Sequence, residues 1–216
     1  MQILQSILDE ALYFTEGFCA LAAIIYFKSV KKTYWKYFVF YLAAIFLFES
    51  LGRYGNFELY SKIKYYNNIV IPFQFIFFFW LYGIKSLKSK TLFWILSVLY
   101  LISFIPSELY FKGSNVIYSF NYTFGCLLLM ILVILEYYKQ INSDDIINFQ
   151  KNRMFYINLG VTLFYIGTLP FWTFYALIFY EHRQIWDIYY SYNLISDIIM
   201  YLLFSISFVW GKQNSY

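Results

Sequence analysis

The sequence predicts an all-α, polytopic membrane protein of seven transmembrane helices, and three observations lead there. The chain is 62% hydrophobic with only 13% charged residues and a mean hydropathy of +0.57, a balance that a water-soluble domain could not place on its surface. Its apolar runs are about 20 residues long, the length that crosses a hydrocarbon core roughly 30 Å thick. Seven such runs use up nearly all of the 216 residues. No loop is long enough to fold alone, so residues 1–216 are read as one seven-helix domain with no soluble catalytic or DNA-binding module.

In chain order the predicted spans are Leu8 to Phe27, Tyr37 to Tyr54, Asn68 to Ile84, Leu92 to Phe111, Val116 to Tyr138, Phe155 to Tyr180 and Ile185 to Trp210. The first has no Lys or Arg before Asp9. It therefore lacks the basic n-region of a cleavable signal and is expected to be retained. Pro72, Pro106 and Pro170 fall in spans three, four and six, where each frees a backbone carbonyl and permits a kink. The longest outer connection, Gly55 to Asn67, mixes Glu58, Lys62 and Lys64 with Tyr60, Tyr65 and Tyr66, an interfacial composition. The longest inner connection, Lys139 to Arg153, contains Asp144 and Asp145, and Ser143 is placed to cap a short surface helix there.

The basic residues set the orientation. Lys28, Lys31, Lys32, Lys36, Lys85, Lys88, Lys90, Lys139, Lys151, Arg153 and Lys212 fall on one side, against Arg53, Lys62, Lys64, Lys112 and Arg183 on the other. Cytoplasmic loops carry the excess of Lys and Arg, so the N-terminus is predicted outside and the C-terminus inside. The net charge of +4 sits at span ends rather than in a basic stripe, which argues against nucleic acid as a partner. The Ile-, Phe-, Tyr-, Lys- and Asn-rich usage suggests an AT-rich genome and a bacterial inner membrane. The first and last three spans suggest a parallel three-plus-one-plus-three repeat. Tyr13-Phe-Thr-Glu-Gly-Phe-Cys19 lies against Asn121-Tyr-Thr-Phe-Gly-Cys126, and spans three and seven both open on Tyr-Asn, at Tyr66 and Tyr192.

Candidate function lies in the polar residues of the spans. A carboxylate near a bilayer centre costs about 2.5–3.5 kcal/mol on insertion scales, so intramembrane acids usually face a bundle interior and serve a function. Glu16 and Glu49 lie at similar outer depths on antiparallel neighbours. Gln74, Asn121, Asn193 and Asp197 fall at comparable depth or toward the midplane. If these side chains share an azimuth, they line a polar cavity open to the outside. Arg53, four residues after Glu49, is placed to neutralise it. Asp197 has no basic residue at i±3 or i±4 and is the strongest candidate for a proton role. The 25 Tyr and 26 Phe are read as packing and interface belts, with a cage for a cation as the alternative.

Sharper chemistry is not spelled out. Cys19 and Cys126 lie within spans and form no disulfide or metal-thiolate spacing. No nucleotide-binding, zincin or nucleophile-elbow motif occurs. Asn193-Leu-Ile-Ser-Asp197 has the Asn-x-x-x-Asp form of intramembrane prenyltransferases without the second Asp-rich motif. Glu49-Ser-Leu-Gly-Arg53 matches half of a membrane-protease element whose histidines are missing. His182, the only His, sits in an outer loop, and span seven lacks the lysine a retinal protein requires. No catalytic residue, metal or cofactor is therefore predicted.

The seven-span topology and the closing run Met200-Tyr-Leu-Leu-Phe-Ser-Ile-Ser-Phe-Val-Trp-Gly-Lys212 resemble small uncharacterised bacterial seven-helix proteins and the seven-helix sensor region of some histidine kinases. The resemblance implies a sensor-like module. The chain stops at Tyr216, where a sensor kinase would continue, so its output is expected to pass through a protein partner. The expected ligand is a small molecule held by Glu16, Glu49, Arg53, Gln74, Asn121, Asn193 and Asp197, with the lipid bilayer as the surrounding partner. The alternative is a small transporter or proton-coupled carrier using the same acids.

Overall fold

A computed structural model describes residues 2–105, 120–143 and 149–211, which are almost wholly helical and contain no β-strand. The elements are α1 (Gln2–Ile25), α2 (Phe27–Val30), α3 (Trp35–Tyr54), α4 (Leu59–Tyr65), α5 (Ile71–Phe79), α6 (Lys90–Ile102), α7 (Phe120–Ile141), α8 (Arg153–Val161), α9 (Leu169–Thr173), α10 (Tyr175–Glu181) and α11 (Arg183–Val209). Among the described residues, five stretches are long and apolar enough to cross a membrane: Trp35–Tyr54, Ser61–Ser86, Phe120–Ile141, Arg153–Thr173 and Arg183–Val209. Among the other two expected spans, α1 carries Asp9, Glu10 and Glu16, and α6 has 13 residues in its described helix. Pro106, Lys112, Asp144, Asp145 and Lys212 lie outside the described residues, as do the junction of spans four and five and the expected surface helix after Ser143.

The expected outer loop from Gly55 to Asn67 is largely helical. α4 and the π-helical turn Tyr66–Val70 carry the third span back to residue 61. The Tyr65 hydroxyl donates to the Phe48 carbonyl at 3.0 Å and the Tyr66 hydroxyl to Glu49 Oε2 at 2.7 Å, so the tyrosines hold this segment against α3. Pro72 follows that π turn directly. A proline cannot donate to the preceding turn, and the wider π turn absorbs the mismatch. Pro170 acts similarly in the stretch Arg153–Thr173, where the π turn Thr162–Ile166 precedes a break and Pro170 lies in the first turn of α9.

The chain divides into two compact units, one of Met1–Phe46 and Tyr137–Tyr216, the other of Leu47–Glu136. In the first unit, α11 packs on α1 and α8. α1 reverses the pattern of a soluble helix. Its buried face is Glu16, Gly17, Cys19, Ala20 and Ala23, while Ile3, Ile7, Phe14, Phe18, Leu21 and Ile25 are exposed. Small residues permit the close backbone approach that membrane helix pairs use. Gln5 Nε2 donates to the carbonyl and carboxylate of Asp187 near the start of both helices, and Cys19 is hydrogen-bonded to Ser205 near their ends. α1 and α11 therefore run parallel.

α3 and α8 run the opposite way along α11. Phe38 of α3 meets Phe204 and Phe208 at ring distances of 5.3 and 5.6 Å. Gly160 of α8 lies so close to α11 that an added Cβ would come within 3.2 Å of Met200 Cγ and Phe204 Cε1. At the start of α8, the buried guanidinium of Arg153 donates to the carbonyls of Ser207 (2.9 Å) and Gly211 (2.7 Å). It also lies over the rings of Trp35 and Phe208. Read from sequence as a topology charge, Arg153 serves here as the cap of α11, meeting end carbonyls that no further turn can bond.

In the second unit, Phe75 packs against Tyr122 at 5.7 Å and against Gly125, and Ser86 Oγ donates to Glu136 Oε2 at 2.5 Å. Stretch Ser61–Ser86 and α7 thus run parallel. α6 is antiparallel to both, because Gly83 faces Phe93 and Phe75 and Phe79 face Tyr100. The reversal between Ser86 and Lys90 turns on Lys88, whose φ of 55° is left-handed, and Ser89 caps α6 by accepting from the Leu92 amide.

Candidate functional site

α11 carries Asn193, Asp197, Tyr201 and Ser205 at successive four-residue intervals, which sets them in one row along its length. Each has a neighbour on another element of the first unit. Asn193 is buried and its Oδ1 accepts from Trp172 Nε1 at 3.1 Å. Ser205 is hydrogen-bonded to Cys19 of α1 and also donates to the Tyr201 carbonyl at 2.9 Å. Between these levels Asp197 and Glu16 lie within electrostatic reach of both the Tyr41 and Tyr201 hydroxyls, and Tyr41 is hydrogen-bonded to Tyr165.

The centre therefore joins α1 (Glu16, Cys19), α3 (Tyr41), the stretch Arg153–Thr173 (Tyr165) and α11 (Asp197, Tyr201, Ser205). Glu16 is 7% exposed and Tyr41, Tyr165 and Tyr201 are buried; Asp197 is partly buried. Carboxyls and phenols each give and accept protons, so this arrangement suits a proton, a cation or a hydrogen-bond donor. Among the described residues no group of three or more His, Cys, Asp or Glu could hold a metal ion.

Of the residues singled out from sequence, Glu16, Asn193 and Asp197 belong to the first unit, and Glu49, Arg53, Gln74 and Asn121 to the second. The first unit brings Glu16 and Asp197 within electrostatic reach of the same two tyrosines. In the second, the donor to Glu49 is Tyr66, whose ring lies against Gly52. Arg53 is half-buried one turn beyond Glu49, and Gln74 is half-buried on α5. Asn121 is buried and accepts from Ser103 Oγ at 3.4 Å.

Sequence reasoning missed two kinds of residue. Tyr41, Tyr165 and Tyr201 were hidden among 25 tyrosines; the signal available was the four-residue spacing of Asp197 and Tyr201. Glu136, 1% exposed and bonded to Ser86, was overlooked because Lys139 follows three residues later and gives it the look of a solvated helix-end pair. No family model matches the chain, and neither a curated protein nor a solved structure is similar to it.

Proposed function

We propose that the protein is a seven-crossing integral protein of a bacterial inner membrane, N-terminus outside and C-terminus cytoplasmic, that acts as a sensor-like module. A small ligand is taken up at the acid–tyrosine centre, and the change in helix packing passes to a protein partner. The observation that carries this reading is that Glu16 and Asp197 both lie within electrostatic reach of the Tyr41 and Tyr201 hydroxyls, among four helical segments of one unit. Neutralising or engaging either acid there changes the charge set among those helices.

Helix direction supports seven crossings over five. Ser61–Ser86 and α7 run parallel, so an odd number of passages separates them, and α6 is the helix available to make one. α1 presents large apolar side chains outward and Glu16 inward, as expected of a helix that faces lipid on one side. With both included, α1 and α11 cross in the same direction, as their parallel packing requires. The sidedness is tested with single cysteines in a background lacking Cys19 and Cys126. An impermeant thiol reagent applied to intact cells labels Lys62→Cys and Arg183→Cys but leaves Lys88→Cys unlabelled; labelling of Lys62→Cys and Lys88→Cys from one side refutes the topology.

A proton-coupled carrier using the same acids is the second reading, favoured by the pairing of two carboxylates with phenols able to relay protons. Proteoliposomes with an internal pH dye separate the two. The sensor reading expects no proton or solute flux and co-purification of a partner from native membranes. Flux that Asp197→Asn abolishes, with the fold intact and no partner recovered, replaces the sensor with the carrier.

A further inference from the structure

We propose that Ser97 and Tyr100 on α6 form a buried binding site for a small uncharged molecule of about the size of water that both donates and accepts hydrogen bonds. The site lies in the second unit and is independent of the acid–tyrosine centre. Ser97 is 4% exposed and Tyr100 fully buried, yet among the described residues neither the Ser97 Oγ nor the Tyr100 hydroxyl has a hydrogen-bond partner. Buried hydroxyls without partners are costly, and native structures satisfy them with protein groups or bound molecules. The two residues are three apart on one helix face. A long side chain on a helix leans back over the turn that precedes it, which carries the Tyr100 hydroxyl toward the level of Ser97.

The surroundings define the occupant. Tyr100 is ringed by Phe75, Phe79 and Phe104 at centroid distances of 5.2, 5.9 and 5.6 Å. These walls offer no counter-charge, so an ion would be desolvated without compensation. Cys126 lies near both Tyr100 and Tyr122. A neighbouring glycine, Gly125, is pressed so closely by the Phe75 ring that it has no room for a Cβ. That close packing, on the Phe75 side of Tyr100, argues for an occupant of about the size of water. One molecule with two or more polar partners meets the usual condition for a buried water.

The test compares wild type, Ser97→Ala, Tyr100→Phe and the double variant in lipid nanodiscs, each near-isosteric change being compatible with folding. Each single change is expected to lower the thermal midpoint by a few degrees, and the double variant to fall no further than the worse single, because both lose the same molecule. An unchanged or raised midpoint for Tyr100→Phe, or fully additive losses, overturns the proposal. A high-resolution map of wild type is expected to show density within hydrogen-bond distance of both hydroxyls that disappears in Tyr100→Phe; continuous packing without it also overturns the site. A midpoint that rises with added glycerol in wild type but not in the double variant overturns the water-sized assignment.

Discussion

Replacing Arg153 by Met isolates the cap of α11. The guanidinium makes two hydrogen bonds, to the Ser207 carbonyl at 2.9 Å and the Gly211 carbonyl at 2.7 Å, and bonds from a charged group contribute about 1.5–3 kcal/mol each. Its stacking over Trp35 and Phe208 adds roughly 0.5–2 kcal/mol. Against these stands the relief of a desolvated cation, which methionine of similar length removes, and some recovery of the carbonyls by water. The net loss is about 3 kcal/mol. At roughly 2–4 °C per kcal/mol for a chain of this size, the midpoint falls by about 6–12 °C. Arg153→Lys keeps the charge but presents a point donor rather than a fork, so it recovers about half of the loss. Intrinsic fluorescence during heating in nanodiscs measures both. A methionine variant within about 1 °C of wild type refutes the reasoning, and would leave Arg153 only its value as a topology charge.

Three further perturbations probe other contacts. Gly160→Leu drives a side chain into Met200 and Phe204, where even a Cβ would lie 3.2 Å away; a loss of about 3 kcal/mol in thermal or denaturant unfolding is expected, while Gly160→Ala loses less because alanine regains about 1 kcal/mol of helix propensity. Tyr66→Phe removes the donor to Glu49 and should cost about 1.5–2 kcal/mol; wild-type stability in this variant would mean that the half-buried carboxylate does not depend on it. Ser86→Ala leaves Glu136 without its serine donor and should cost about 2 kcal/mol, with recovery in Ser86→Thr; equal losses in the two variants would show that packing, not the hydroxyl, matters there.

The helical class and the approximate extents of five stretches were legible because apolar run length is a one-dimensional property. So was the burial of Glu16 and the partial burial of Asp197, since an acid in an apolar run has no inexpensive exposed alternative. Azimuth was not legible: depth alone grouped six polar residues, and the packing of one unit sets Glu16 and Asp197 near tyrosines whose abundance masked them. Arg153 and Glu136 were misweighted for the opposite reason. Each lies near a span end, where sequence rules assign charges to water, and only the packing of α11 on α8 and of Ser86 on α7 reveals them as buried. The π turns at Tyr66–Val70 and Thr162–Ile166 were foreshadowed by Pro72 and Pro170, but Trp80–Ser86 has no proline to announce it.

The parallel pairing of α1 with α11 has a consequence for biosynthesis. α1 leaves the ribosome early, with Glu16 on the face that α11 will cover, and every other helix is made before that cover exists. During this interval the acid must be sheltered by the insertion machinery or by transient water. With α1 crossing the membrane as proposed, interruption of synthesis before α11 would strand an exposed carboxylate there, a local mark by which quality-control proteases can distinguish unfinished chains from finished ones.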